Sequence, residues 1–482
     1  MPIDSKHPDY TKQAPAWQMM RDLAGGQRSI HAAAEAYLPR LTEEAGKPYE
    51  ARLKRTPFYN ATWRTIEALV GMLFRKAPKI TASQAITLML TDVTKSGKPI
   101  DLFMQECALE EETVGRVGVL TDYPATSTAG MTRGQAENMN IRPHLAMYRA
   151  EDIINWSWSW INNRNTLSLV VLEEKAIVGG DQFAPAYEDR WRVLDLFEYV
   201  PGLHGYRQRV YRKDKATGNF ILVEGSERFP LMNNAPLKEI PFEVFGDGLP
   251  PLEDLGHINV SHYQSSADLE HGAHMTALPQ PYATGLSDEF DPLTGQKITR
   301  TFHIGGGNLW TFADPNSKIG MLEYAGQGLG ALENRIASKE QQMAVLGARM
   351  LEAQKSGVES AEAAGIHRSG EQSALQAQAQ RLSLGFSRVL SWFEQWAGGP
   401  GGVVVEVNQD FMPANLSGDQ LTALVAAWQN GAISKEALFQ KLQKGGVIGD
   451  GTDFETEETK IESAPPTLPA ATENTNDAED FA

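Results

Sequence analysis

The chain has one cysteine in 482 residues, Cys107. A single thiol excludes an intramolecular disulfide and any cysteine-rich metal site. It sits in PIDLFMQECALEEETV, a predicted helix, and reads as a small buried hydrophobe. No uninterrupted apolar run is long enough to cross a bilayer, so no membrane partner is expected. The opening MPIDSKHPDY lacks the basic-then-apolar order of a signal peptide, which points to a soluble protein made in a reducing cytoplasm. Basic excess is also missing, because the formal net charge is −17. Ten acids and one base, Lys460, lie from Asp450 onward, a net of −9, so the other 449 residues carry −8. This disfavours a tight non-specific nucleic-acid binder but is compatible with a surface that lets DNA slide past.

Catalytic signatures are scarce too. There is no Gly-Lys-Ser/Thr phosphate loop, no G-x-S-x-G elbow and no H-E-x-x-H helix. Gly326-x-Gly328-x-Gly330 opens a helix and could cradle a phosphate, but without the full fingerprint it reads as a hinge. His257, His262, His271 and His274 share one predicted helix. His271 and His274 are three apart and could share a ligand, but they read as solvated or interface histidines. No catalytic residue, metal or cofactor is expected. The chain is read as not an enzyme.

What is present is strong periodicity. From Tyr49 to Pro78 the chain reads YEARLKRTPFYNATWRTIEALVGMLFRKAP. Trp63, Ile66, Leu69, Val70, Leu73 and Phe74 form one apolar stripe with Arg64 and Glu67 off it, which predicts a helix capped by Asn60 or Thr62 and stopped at Pro78. A helix over roughly Asp101–Val114 breaks at Gly115 into GRVGVLTDYP, a short buried strand. From Ile141 a period of two takes over through five strand-like runs, an antiparallel meander. Trp156, Trp158 and Trp160 alternate there. A core-packing stripe is expected, with base stacking as the second reading.

Helical period returns over Leu252–Leu278. After a Gly- and Pro-rich mixed segment it returns again in AGQGLGALENRIASKEQQMAVLGARMLEAQK, with Leu329, Leu332, Ile336, Met343 and Leu346 on one side. A third long helix carries Leu375, Leu382, Phe386, Val389, Phe393 and Trp396. VVVEVNQDF reads as a strand. Two short helices capped by Ser417 and Ser434 follow, and then an acidic tail expected to be disordered.

Several of these stretches resemble the portal proteins of tailed bacteriophages. The resemblance rests on RL…T-x-FYN leading to F-R-K-x-P at 49–78, on G-x-x-x-V-D-x-P-like wording at 115–124, and on RPHLAMYRAEDIINW at 141–156. It continues with the helix, insert and returning helix from 250 onward, and with N-x-D-F and N-G-x-I-S-K-E at 403–446. They fall in the family's order. The resemblance implies an α+β fold with a wing over 1–249 (helices to about 135, a β-rich part over about 140–249), a stem helix over 250–279, an α/β clip over 280–325 and a second stem helix over 326–354. It further implies a tunnel loop over 355–370, a long wing helix and strand over 371–411, a helical crown over 412–449 and a tail over 450–482.

By that resemblance the chain forms a homo-oligomeric ring, a dodecamer, at the unique capsid vertex of a virion assembled in the host cytoplasm. Its partners are the terminase large subunit, major capsid and scaffolding proteins, head-tail adaptor proteins and double-stranded DNA held without sequence preference. Arg335, Lys339, Arg349, Lys355, His367 and Arg368, interleaved with Glu333, Glu340, Glu352, Glu359 and Glu362, are the candidates for the DNA channel and tunnel loop. Asp288, Glu289, Asp291, Lys297 and Arg300 are the candidates for terminase docking on the clip. The alternatives are another virion connector protein or a soluble α+β hydrolase.

Overall fold

Helical and strand periods become an α+β fold in the computed structural model. It describes residues 2–124, 132–181, 183–233, 235–277, 280–285, 290, 293–297, 317–322, 328–348, 361–409, 411, 418–444, 447–448 and 452–463. In chain order the N-terminal part runs α1 (Pro8–Ala24), α2 (Gly26–Ala33), α3 (Gly46–Arg55), α4 (Ala61–Leu73), β1 (Lys79–Thr81), α5 (Gln84–Thr87), α6 (Ile100–Val114), β2 (Val117–Asp122), α7 (Arg133–Asn138) and β3 (His144–Arg149). Five strands follow: β4 (Ile153–Ile161), β5 (Arg164–Gly180), β6 (Pro185–Val200), β7 (Leu203–Lys213) and β8 (Phe220–Leu222). A ribbon of β9 (Leu231–Met232) and β10 (Ala235–Pro236) leads to β11 (Phe242–Phe245). Then come α8 (Glu253–Ala277), β12 (Gln280–Thr284), β13 (Lys318–Leu322), α9 (Leu329–Met343), α10 (Ala361–Trp396) and β14 (Val404–Glu406). The chain divides into two units, Met1–Gln409 and Asp410–Ala482.

In the first unit, α4 forms as its pattern predicts. Asn60 caps it, its Oδ1 accepting from the Trp63 amide at 3.0 Å. Ile66, Val70 and Leu73 are buried, while Arg64 and Glu67 face solvent. Residues from α1, α2, α3, α4, α8 and α9 share one core that includes Met20, Ile30, Tyr49, Ile66, Tyr263 and Met343. α1 was not singled out in the sequence, because Pro8 and Pro15 interrupt its pattern. Pro8 occupies a first-turn position that needs no amide partner.

The five strands β4 to β8 form a true meander with neighbours in chain order. β3, read as the start of that meander, instead pairs with β2 in a second sheet of order β11-β2-β3. β2 is central and wholly buried, and Cys107 is buried on α6. The two sheets share a core of Leu120, Ile153, Leu172, Leu194, Tyr206 and Phe242. A charged hub also joins them. Asp122 at the end of β2 accepts from Arg228 Nη2 at 2.9 Å and Gln208 Nε2 at 3.0 Å, and Arg192 Nη1 lies 3.5 Å away. Arg192 in turn donates to Glu174 at 2.6 Å. Burial alone drives the Asp122 carboxyl upward, but Arg228 and Arg192 overcome it and hold the pKa below the ordinary value.

α10 is the long element of the C-terminal half. Ser383, Ser387 and Ser391 recur every four residues along one face. Their hydroxyl oxygens accept from the amides of Val407 (3.0 Å), Val405 (2.9 Å) and Val403 (3.1 Å). Each hydroxyl donates to the carbonyl four residues back, at 2.6 Å. Four helical residues rise ~6.0 Å and two strand residues ~6.8 Å, so helix and strand stay in step over three contacts. β14 pairs with β1 on its other side. Helix and sheet also approach closely at Gly385, where a Cβ would stand 2.2 Å from Phe245 Cε1.

Three expectations are corrected. The segment 355–370, expected as a loop, is helical from Ala361 onward. Its Ala and Glu residues are strong helix formers, and Gly365 and Gly370 cost only about 1 kcal/mol each. In the second unit, α11 (Gly418–Gln429) and α12 (Lys435–Lys444) are followed by α13 (Phe454–Ser463), inside the tail expected to be disordered. Phe454 packs on Phe439 at 5.4 Å and Lys435 pairs with Glu458 at 2.9 Å, which gives that stretch a surface to fold against. Ser434 caps α12, but Ser417 lies outside the described residues. Finally, the tryptophan stripe does not all enter a core. Trp156 is half-buried under the Arg116 guanidinium, whereas Trp158 and Trp160 are 56% and 77% exposed.

Glu111 and Glu112 on α6 are buried, and burial pushes both carboxyls up to about 7. Arg381 of α10 lies 3.5 Å from Glu111 Oε1 and only partly offsets this; Glu112 and Asp247 oppose it. Both folded pKa values exceed the ordinary 4.5, so the stabilising contribution is complete below pH 4.5 and is lost as pH rises through about 7. A Glu111→Gln chain is expected to show a shallower fall in melting temperature between pH 4.5 and pH 8, measured by circular dichroism; an unchanged slope refutes this. For the serine ladder, Ser387→Ala leaves the Val405 amide without its acceptor. It is expected to cost about 1–3 kcal/mol in urea unfolding.

Candidate functional site

α8 and α9 form an antiparallel hairpin, since residue 262 meets 340, 265 meets 339 and 272 meets 329. At its far end β12 and β13 pair in register, Gln280 with Leu322 and Thr284 with Lys318, and open the insert. The hairpin interior is unusually polar. Lys339 is only 9% exposed, and its Nζ donates to the Ser261 carbonyl at 2.7 Å and to Ser265 Oγ at 2.6 Å. Burial, and then Arg335, lower its pKa. His262 Nε2 lies 3.4 Å from Glu340 Oε1. Burial lowers the His262 pKa despite that carboxylate, so the ring is neutral at neutral pH.

Asn259 is fully buried and ties the hairpin to the start of α4. Its Oδ1 accepts from the Thr62 amide at 3.2 Å and Thr62 Oγ1 at 2.9 Å, and its Nδ2 donates to the Tyr59 carbonyl at 2.8 Å. Tyr59, Asn60 and Thr62 belong to the FYN-x-T stretch, so that wording is the docking surface for α8. Arg52, one of its basic residues, is also structural: it is buried and bonds Glu44 at 2.8 Å and the Pro39 carbonyl at 2.7 Å. At the end away from the insert the second helix of the hairpin loses its α geometry over Ala344–Ala348. Gly347 there has φ 135°, a conformation only glycine takes without strain. Val345 and Leu346 are 50% and 42% exposed and line a 500 Å³ groove with Ile258, Gln341 and Gln342.

Of the channel candidates, Arg335 is exposed on α9. Lys339 faces the hairpin interior, its ammonium engaged with α8. Arg349 and Lys355 lie outside the described residues. His367 and Arg368 fall on the first turns of α10, with side chains outside the description. Of the clip candidates, Lys297 bridges to Phe290. Asp288, Glu289, Asp291 and Arg300 lie outside the described residues. His271 and His274 are half-buried on α8. Among the described residues no group of three or more His, Cys, Asp or Glu converges as for a metal ion.

Asn259, Ser261, Ser265 and Gly347 were missed in the sequence. The signal was there: Leu255, Asn259, His262 and Ser266 step by four, three and four along the buried face, so polar residues occupy core positions.

A family described as "Domain of unknown function (DUF4055)" matches residues 251–397, less than a third of the chain. Those limits enclose the hairpin, its insert and α10. No curated protein matches the chain. Solved structures are similar only remotely. One, titled "Neck of empty GTA particle computed with C6 symmetry", has 12% identity and a TM-score of 0.34 over 86% of this chain and 93% of the other. A chain of the "Virion of native gene transfer agent (GTA) particle" has 11% identity and a TM-score of 0.34 over 91% and 99%. One from the "Neck of native GTA particle computed with C12 symmetry" has 12% identity and a TM-score of 0.33 over 85% and 96%. Superposition at that level carries no argument about this chain.

The Asn259 contacts are the joint between hairpin and body. Asn259→Ala removes three buried hydrogen bonds at once and is expected to cost about 3 kcal/mol, against about 1 kcal/mol for removing the Asn60 cap. Urea midpoints of the two variants compare them, and equal losses would mean that Asn259 is not the joint.

Proposed function

We propose that the chain is a portal subunit: one copy of a ring, a dodecamer, at the unique vertex of a phage-type capsid, through which double-stranded DNA enters and leaves. The observation that carries this reading is the antiparallel α8–α9 hairpin with a β-paired insert at its far end, followed by the long α10 lying across the β11-β2-β3 sheet. It supports the reading because the family-like stretches occur in the same order along the chain. In this reading the hairpin is the stem and residues 280–325 are the clip that docks the terminase large subunit. Capsid, scaffolding and head-tail adaptor proteins contact the remaining outer surface. Arg335, Arg349, Lys355, His367 and Arg368 face the DNA path, with Lys339 holding the stem together. Interleaved glutamates keep the path from binding phosphate deeply, which suits passage rather than capture. The subunit performs no bond chemistry.

Exposed Val345 and Leu346 give the stem an apolar flank that a neighbouring copy can cover. A heterologous contact repeated by rotation closes into a ring. The purified full chain is expected to sediment at about 640 kDa, twelve copies of 53.0 kDa, and to show rings in negative stain. Monomer alone, at micromolar concentration in every salt and pH tried, overturns the reading. A second reading, a connector protein of the same virion, predicts a ring that does not bind terminase. Charge reversal at Asp288, Glu289 and Asp291 separates the two: the portal reading expects intact rings and empty heads without packaged DNA.

A further inference from the structure

The β4–β5 hairpin outruns its sheet. β4 and β5 pair to the tip at Ile161 and Arg164, but the β5–β6 ladder begins only at Leu169 and Asp195. Residues 164–168 therefore have β4 as their sole ladder partner among the described residues. The tip turn is Asn162-Asn163, both with positive φ, as a tight I′-type hairpin requires. The result is a two-stranded arm with both edges open. Protein edges of this kind are usually blunted by Lys or Pro. Here Ile153–Asn163 contains no proline and no ionisable side chain, in a chain of net charge −17.

The arm carries an aromatic knob. Trp158 and Trp160 are 56% and 77% exposed, roughly 300 Å² of aromatic surface between them. A standard interface needs about 800 Å² per partner, so two tryptophans would supply more than a third of it. Behind the arm is a groove of about 550 Å³. Arm residues Ile161, Arg164 and Thr166 form one wall, and Met232, Pro236, Leu237 and Trp392, with the charged pair Lys238 and Glu239, form the other. It continues past Trp158 into a smaller hollow beside Phe242 and Val244. Trp160 lies outside this lining and its own copy leaves it uncovered. Trp160 and the groove thus sit on one chain at places that do not meet within it, whereas Trp158 borders the hollow of its own copy.

We propose that the Trp160 arm of one copy seats in the Met232–Pro236–Trp392 groove of the next copy. The occupant is a second copy because the exposed aromatic surface of the arm supplies more than a third of the area a standard interface needs, and the apolar residues Met232, Pro236, Leu237 and Trp392 can receive it beside charged lining of mixed sign, Arg164, Lys238 and Glu239. The contact is heterologous, so it propagates in one direction and closes by rotation. It rests on the ring reading above and names the residues that join neighbours in the sheet region.

The test uses the full chain and three sedimentation experiments. Trp160→Ser removes the knob, and Pro236→Arg blocks the groove; both residues are exposed, so folding should survive, and circular dichroism and melting check it. Each variant alone is expected to lose the ring peak. An equimolar mixture retains one intact knob and one intact groove, so it is expected to give a two-copy species and no ring. If either folded variant sediments as the wild type does, the arm contact is wrong while the ring reading stands. If the wild type itself never leaves the monomer, the ring reading has failed and the arm contact with it. Ser159→Lys, which places a charge on the open edge without touching the tryptophans, is a further check. It should weaken assembly, and wild-type assembly would also overturn the proposal.

Discussion

The first unit depends on a coincidence of two repeats. A helix advances ~1.5 Å per residue and a strand ~3.4 Å, so a serine every fourth residue meets an amide on every second strand residue. Ser383, Ser387 and Ser391 use this to satisfy one edge of the strand from Val403 to Val407, while β1 satisfies the other. A buried edge without partners would cost several hydrogen bonds. With it satisfied, α10 is fixed in register. Phe386 then meets Phe103 and Phe245, Arg388 meets Glu243, and Trp392 donates to Glu239. The strand near residue 405 thereby ties the end of the unit to residues near 80.

Polar groups do similar work in the hairpin. An apolar seam between α8 and α9 could slide by a turn at little cost. Lys339 on the Ser261 carbonyl and Ser265 hydroxyl has one register, because a slip would leave an ammonium buried without acceptors. Asn259 imposes the same condition between α8 and α4. Removing either partner costs more than the bond contributes, so these contacts specify a geometry more than they add stability.

This explains which parts were legible in the sequence. α4, β2, the meander from β4 onward and α8 carry long periods or strong stops, and the structure has them where the pattern puts them, while β3 joins the other sheet. The serine ladder was not legible: Ser every four residues in a helix reads as a solvated face unless the strand it meets is known. Lys339 reads as a channel cation for the same reason, since its acceptors are 74 and 78 residues away in sequence. The tryptophan stripe misled in the opposite sense, because period two says which residues share a face but not where the next strand ends. The helix at 454–463 was hidden by composition, and one pair of phenylalanines outweighs it.

The distribution of polarity runs against that of a self-sufficient globule. The sheets enclose a charged hub at Asp122, Arg192 and Glu174, and the hairpin encloses a lysine and a histidine. Meanwhile Trp158, Trp160, Val345 and Leu346 stay in solvent. Apolar surface left outside while charge is carried inside lowers the stability of an isolated chain. In the proposed ring a neighbouring copy would cover the exposed groups. They lie at an arm tip and on a hairpin flank, two different elements. A single isologous contact would cover one such place and stop at a dimer, whereas in the proposed ring two different surfaces on every copy would meet a neighbour on each side.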